Sequence, residues 1–382
     1  MPSSRIKSKH QIVAGIEAEL LKRVRVEGGK SRAELARELR LAPSTTGIYV
    51  DRLVREGFLI ERDAAPLDTG RPPKQLEPNP AAGKFLGVDF EPQNLFAVAV
   101  DFSLHLVRRC HRAVPANEPV PGILRRIEEA LQSVLEGDRR PLLSIGVAVP
   151  GSIDQAKGLA SGSELISGWD NVPVGPRLAE KFKVPVRVQN NIRTMAMAEL
   201  WLGQGRGLTN FVSLGIRTGI GTGVIANGQL LCGAQGGAGE VGLWPAPDAP
   251  ATDGNRERTL ETTSSLGAIL QAASEAAGKP VDFDQFRAQA ESGDRTVLAI
   301  LKQAAEQHAV AIYQLHVLFD PERIIVVGPL AELGALYLAP LKSSVRRRCH
   351  RAPPELVASS FGQYGGALGA AAFALHEWLP SR

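Results

Sequence analysis

Apolar residues recur at Ile12, Val13, Ile16, Leu20, Leu21 and Val24. That three- and four-residue spacing marks one face of a helix and predicts one from about His10 to Val26, ended by Gly28-Gly29. Ser31, with Glu34 three residues on, predicts a capping box in which each side chain satisfies the other residue's free backbone N–H. Ala33, Ala36 and Leu39 then share one face of a second helix. Arg40-Leu41-Ala42 turns into Pro43, whose fixed φ and missing N–H suit a first helical turn. A third helix from Ser44 to Glu56 would bury Ile48, Leu53 and Val54. Beyond Gly57 the spacing changes to that of strands, over 58–62 and again near Gln75-Leu76.

The remainder mixes both periods. Strands are predicted over 84–90, 95–101, 144–149, 184–188, 210–214, 222–226 and 324–327, with Asn227-Gly228 as a hairpin turn into 229–231. Helical patterns cover 122–136, 191–202, 294–318 and 365–378. Strands interleaved with helices and hairpins indicate an α/β domain with mixed sheets. The turn-rich stretches 68–73 and 78–80 fit no element interior and place a domain boundary near residue 80, dividing the chain into 1–80 and 81–382.

Composition narrows the classes. Of the 382 residues 44% are hydrophobic, which supplies a core and excludes global disorder. Apolar runs stay shorter than the roughly 18 residues of a membrane span, and no basic-then-apolar leader opens the chain, so a soluble, cytoplasmic protein is expected. Cys110, Cys232 and Cys349 are too scattered for a disulfide framework or a metal cluster. The net charge of +4 is unevenly placed: residues 1–80 hold 15 Lys+Arg against 11 Asp+Glu, whereas the remainder balances at 29 of each. The excess sits where a phosphate backbone could be its partner.

Two short helices joined by a tight turn and followed by a hairpin match a winged helix-turn-helix. The small hydroxyl side chains of Ser44, Thr45 and Thr46 would let the third helix approach a major groove, with Tyr49 and Arg52 as larger contacts and Arg71 and Lys74 at the wing. A helical hairpin used only for dimerisation is the alternative. Capping box, proline turn, hydroxyl-led helix and basic wing together favour double-stranded DNA as the partner. Such modules read paired half-sites, so a homodimer or homotetramer is expected.

Further motifs resemble the ROK family, which joins sugar kinases and sugar-responsive repressors on the actin-like ATPase fold. Arg32-Ala33-Glu34-Leu35-Ala36 and Gly70-Arg71-Pro72-Pro73 resemble the winged helix and linker of its repressor branch. The segment from Gly146 to Gly151, with Asp154, is similar to the run before the family's sugar pocket. Gly219-Ile220-Gly221-Thr222-Gly223 is similar to its second phosphate turn, and Gly237-Ala238-Gly239-Glu240 and Leu260-Glu261-Thr262 to its sugar-contacting turns. The resemblance covers nearly the whole chain and implies a two-lobed body.

Against that resemblance the kinase chemistry is incomplete. The family's first phosphate turn is an Asp followed by Gly-Gly-Thr, whose glycines bring backbone N–H groups to phosphate. Here Asp89 is followed by Phe90-Glu91-Pro92-Gln93, where a carboxylate repels phosphate and a proline lacks the N–H. The family's base is the Asp of an Asn-Asp pair; Asn190-Asn191 stands here, and an amide cannot take a proton at neutral pH. Gly328-Pro329 replaces a Gly-Gly turn, and Leu243 with the cysteine-free stretch 251–259 replaces the family's zinc ligands. A non-enzymatic repressor with no cofactor and no metal is therefore expected. Gly151, Asn190, Asn191, Glu240 and Glu261 remain as candidate contacts for a sugar effector, with Gly168-Trp169 as a wall, while Asp89 and Asp154 read as turn caps. Glu240 and Glu261 could instead only hold loops, leaving a ligand-independent DNA-binding dimer. An active kinase is the remaining rival.

Overall fold

The computed structural model describes residues 15–63, 74–162, 166–234, 236–246 and 258–379. Helix α1 (Ile16–Glu27) stops at Gly28, whose φ of 61° suits glycine; the predicted start at residue 10 lies outside the described residues. After β1 (Lys30–Ser31) comes α2 (Arg32–Glu38), and its capping box is formed: Glu34 N donates to Ser31 Oγ (3.3 Å) and Ser31 N to Glu34 Oε2 (2.7 Å). Pro43 opens α3 (Pro43–Arg55). β2 (Leu59–Asp63) and β3 (Lys74–Pro78) pair antiparallel, and β1 adds to β3. The phase of α3 differs from the prediction. Thr46, Val50 and Leu53 form the inward stripe at i, i+4, i+7, and Ile48 lies on the opposite face, 65% exposed. On α2 likewise Leu35 and Ala36 are buried, and Ala33 is exposed.

Two lobes of one design follow. In the first, β4 (Lys84–Phe90), β5 (Asn94–Asp101) and β6 (Leu106–Ala113) form an antiparallel meander. Helix α4 (Val120–Leu135) then leads to β7 (Leu142–Val149), which lies parallel to β4. The small hairpin β8 (Ser152–Asp154) and β9 (Leu159–Ser161) and helix α5 (Val174–Phe182) precede β10 (Val186–Asn190), parallel to β7. Helix α6 (Asn191–Leu202) leaves directly from β10.

The second lobe repeats this order. β11 (Phe211–Ile216), β12 (Ile220–Ala226) and β13 (Gln229–Leu230) form the meander. Helices α7 (Leu260–Ser264), α8 (Leu266–Ala277), α9 (Phe283–Glu291) and α10 (Arg295–Phe319) precede β14 (Arg323–Val327), which is parallel to β11. Helix α11 (Ala335–Arg348) leads to β15 (Glu355–Ala358), and α12 (Gly365–Trp378) ends the fold. The sheets therefore read β10-β7-β4-β5-β6 and β15-β14-β11-β12-β13.

Helix α12 crosses back to the first lobe and lies almost on its backbone. A Cβ on Gly87 of β4 would collide with the Ala367 carbonyl, one on Gly146 of β7 with the Ala370 carbonyl, and one on Gly369 with the Thr194 carbonyl of α6. The far end of α12 meets the N-terminal unit. Phe58 packs against Phe102 (5.6 Å between ring centroids) and Trp378 (5.8 Å), and Phe85 stands edge-on to Trp378. One apolar cluster thus runs from Leu20 and Leu53 through Phe58 to Phe85 and Leu375. Residue 79 is anchored as well: Asn79 Nδ2 donates to the Gly57 carbonyl at 2.7 Å.

Two outcomes test this packing. Gly369→Ala forces α12 off α6 and should lower unfolding stability by about 2–3 kcal/mol in urea titrations. The second concerns His308, fully buried, whose Nε2 donates to the Ser264 carbonyl (2.9 Å) while Nδ1 accepts from Tyr337 Oη (2.7 Å). Both nitrogens are satisfied only in the neutral ring, and burial lowers its pKa from 6.5 to about 4. A depressed histidine binds its proton more readily unfolded, so stability is complete above pH 6.5 and falls towards pH 4, by roughly 3 kcal/mol. His308→Gln should flatten that part of the stability–pH curve.

Candidate functional site

The cleft between the lobes is edged by the C-terminal ends of β4, β7 and β10 and by the first turn of the second-lobe meander. Asn190 leaves β10 as the N-cap of α6: its Oδ1 accepts from Ile192 N (3.0 Å) and Arg193 N (3.3 Å), and its Nδ2 donates to the Gly151 carbonyl (3.0 Å). Gly151, at φ 85°, packs so closely on Ser161 that a Cβ would strike the Ser161 carbonyl. Asn191 is buried, and its Oδ1 accepts from Ile192 N at 2.8 Å. Asn190 and Gly151 thus meet, but Asn190 already makes three bonds to backbone.

Arg193, buried two residues further along α6, carries no sequence assignment. Its Nη2 donates to the carbonyls of Ala238 (3.0 Å) and Gly236, so it ties the loop bearing Glu240 to the helix bearing Asn191. Glu240 keeps an open surface. The cleft walls still strip water from its carboxyl and raise its pKa, with Arg193 opposing and Glu261 adding to the rise. Glu261 Oε2 accepts from Ile220 N at 2.8 Å, which commits one N–H of the turn that resembles a phosphate loop. Trp169 is not a pocket wall. It is buried in the first lobe against Phe90 (5.4 Å), with Nε1 donating to the Pro150 carbonyl at 3.3 Å.

Between the lobes stand three charged groups, one from the second lobe and two from the first. Arg217, buried at the β11–β12 turn, reaches Asp89 Oδ2 at 2.9 Å and also pairs with Glu91, both on the first lobe. Thr218 Oγ1 donates to Glu91 Oε2 at 3.0 Å. Burial pushes the Asp89 carboxyl up and the Arg217 guanidinium down, and each charge opposes the shift of the other. Asp89 is therefore no turn cap, whereas Asp154 is: its Oδ1 accepts from Lys157 N at 3.1 Å. Arg217 was missed because a lone arginine carries no motif. The detectable signal was an arginine in one meander turn and Asp-x-Glu in the equivalent turn of the other lobe.

The zinc-ligand residues of the family are not matched. Leu243, 69% exposed, stands where a histidine would ligate, and an alkyl chain offers no donor. Residues 247–257 lie outside the described residues.

On the N-terminal unit the candidates separate. Ser44 is exposed and Thr45 and Tyr49 are half-buried, but Thr46 is fully buried in the inward stripe and cannot touch DNA. Arg52 is drawn to the buried Glu17 (2.8 Å). Lys74 donates to Glu61 Oε2 (3.3 Å), and Glu61 also accepts from Arg32, which pairs with Asp51 at 2.7 Å. Arg71 lies outside the described residues.

Twin sheets of this order, with helices behind them and a cleft between, define a two-lobed α/β domain of the actin-like, sugar-kinase type. The ROK family model matches residues 85–377, and the chain belongs to the ROK family. It is 25% identical over 336 residues to a xylose repressor of Caldicellulosiruptor bescii, covering 83% of this chain and 84% of that protein. It is 29% identical over 306 residues to a glucokinase of Thermotoga maritima, covering 75% and 96% respectively. Among solved structures, a ROK family transcriptional regulator homologous to Escherichia coli Mlc superposes with a TM-score of 0.78 at 23% identity, over 97% of this chain and 98% of that one. No described helix is long and apolar enough to cross a membrane.

Replacing Arg217 with Met would leave the buried Asp89 carboxylate and the half-buried one of Glu91 facing each other. Unfolding stability should fall by about 3–5 kcal/mol, read by urea titration. An unchanged midpoint would show that the ion cluster does not join the lobes.

Proposed function

We propose that this chain is a transcriptional repressor: an N-terminal winged helix-turn-helix, over about residues 1–80, binds double-stranded DNA, and the body binds a sugar or sugar derivative without phosphorylating it. One observation carries the reading most. The first-lobe turn that would cradle nucleotide phosphates keeps Asp89 but follows it with the carboxylate of Glu91 and with Pro92, which lacks an N–H, and Arg217 of the opposite turn pairs with both carboxylates. Asn191 stands where proton abstraction would be needed, and its amide accepts no proton at neutral pH. At the other end α2, the Pro43 turn and α3 keep the arrangement of a groove-reading helix pair, with β2 and β3 as the wing. Ser44, Thr45, Tyr49, Arg52, Lys74 and Arg71 are the DNA contacts of this reading, and Thr46, fully buried, is not one of them.

In this reading the effector lies among Gly151, Asn191, Glu240 and Glu261, and its binding biases the angle between the lobes. Trp378 and Phe58 would carry that change to the DNA-binding unit, and two copies of the chain would present paired half-site readers. The repressors among the relatives support this reading, and the glucokinases among them support a kinase. A ligand-independent DNA-binding dimer finds its support in Asn190 and Glu261, whose side chains already serve backbone groups.

The test is binding of the purified protein to DNA upstream of its own gene, at two salt concentrations with excess non-specific competitor. Saturable binding that withstands competitor is expected, shifted by a sugar and without ATP-dependent sugar phosphorylation. Turnover of ATP with a sugar would restore the kinase reading. Specific binding that no sugar shifts would favour the ligand-independent dimer.

A further inference from the structure

Helix α3 exposes one large apolar side chain where a helix built only to pack would not. Ile48 is 65% exposed, opposite the stripe of Thr46, Val50 and Leu53 that seats the helix. At 3.6 residues per turn Ser44, Ile48, Asp51 and Arg55 form the outward stripe, with Ile48 at its middle. Its neighbours are small: Ser44 stands one turn before it, and a Cβ on Gly47 would meet nothing within 4 Å. The isoleucine therefore stands proud of the surface. Single exposed apolar residues are common on proteins. This one is singled out by its place, because the stripe it centres is the face a helix-turn-helix inserts into the major groove.

We infer that Ile48 is a base-reading residue that contacts the 5-methyl group of thymine in the major groove, an inference that rests on the DNA-binding reading above. Thymine's methyl is the apolar feature of the groove edges and takes apolar side chains in contact. A β-branched side chain is stiff about χ1 and loses little freedom when it docks. The surroundings suit DNA rather than a second protein surface. Arg55 is exposed on the same stripe, Ser44 offers a hydroxyl to a base edge or phosphate, and the acid there, Asp51, is paired with Arg32 at 2.7 Å. The chain's excess of basic over acidic residues also lies within residues 1–80.

The experiment is a mutant cycle on the best-bound sequence selected from a randomised DNA pool, with each thymine replaced singly by deoxyuridine. For the unaltered protein, replacement at one position should weaken binding about fourfold, the change expected for withdrawing one methyl from apolar contact. Ile48→Ala should weaken binding to the thymine-containing DNA at least as much and be indifferent to deoxyuridine at that position. Its melting temperature and sedimentation should match the unaltered protein, since the side chain is exposed. Full affinity in Ile48→Ala, or persistent sensitivity to every deoxyuridine, would overturn the assignment. A change in oligomeric state would do the same and assign the face to self-association. Absence of any specific DNA binding by the unaltered protein would overturn the DNA-binding reading itself, and this assignment with it.

Discussion

Helix α12 can lie where it does because it and the strands beneath it give up their side chains at the points of contact. Gly87 and Gly146 admit its backbone onto the first sheet, Gly369 admits α6, and Gly366 leaves room for the Asp89 carboxylate. Close-packed backbones have few alternative arrangements, so this contact fixes several things together. It sets the height of Asp89 in the cleft, the direction of α6 with Asn191 and Arg193, and the position of Trp378 against the N-terminal unit. The cleft and that unit, which look separate in the sequence, are mounted on opposite ends of one helix.

The charges in the cleft have an energetic logic of their own. Two carboxylates and a guanidinium taken out of water are costly, and the attraction of the guanidinium for both carboxylates offsets that cost only while Arg217 stays between them. Such a group contributes little net stability, but it fixes geometry, because any separation of the lobes exposes an unpaired charge. Arg193 acts similarly with uncharged partners, holding a loop by its carbonyls. The site is thus more thoroughly tied internally than its residue types alone imply, and Glu240 is the member whose surface remains open.

Long elements with a single period were legible. β4 and α12 fall where the apolar pattern placed them, as does α6, because each buries most or all of its positions. β6 was not, since its exposed, arginine-rich edge shows no alternation. The same six residues, Arg-Arg-Cys-His-Arg-Ala, stand at 108–113 in that strand and at 347–352, where α11 ends. Neighbours decide between the two: β5 offers a ladder to the first copy, and Glu306 of α10 holds Arg347 and Arg348 of the second. Ile48 was misplaced for a related reason. Apolarity alone marked it as core, whereas the polar Thr46 was the residue turned inward. In the cleft, residue type made Glu240 and Asn191 candidates, but hydrogen-bond partners far along the chain decided which groups were already spent.

Glu91 and Arg217 belong to the chain, so their concentration at the cleft never varies. A nucleotide arriving there meets a carboxylate already bound to the guanidinium it would need. Under the function proposed here, the angle between the lobes would then follow the supply of a single nutrient and be deaf to the energy state of the cell. A starved cell and a well-fed one, holding the same amount of effector but different amounts of ATP, would repress their target to the same degree.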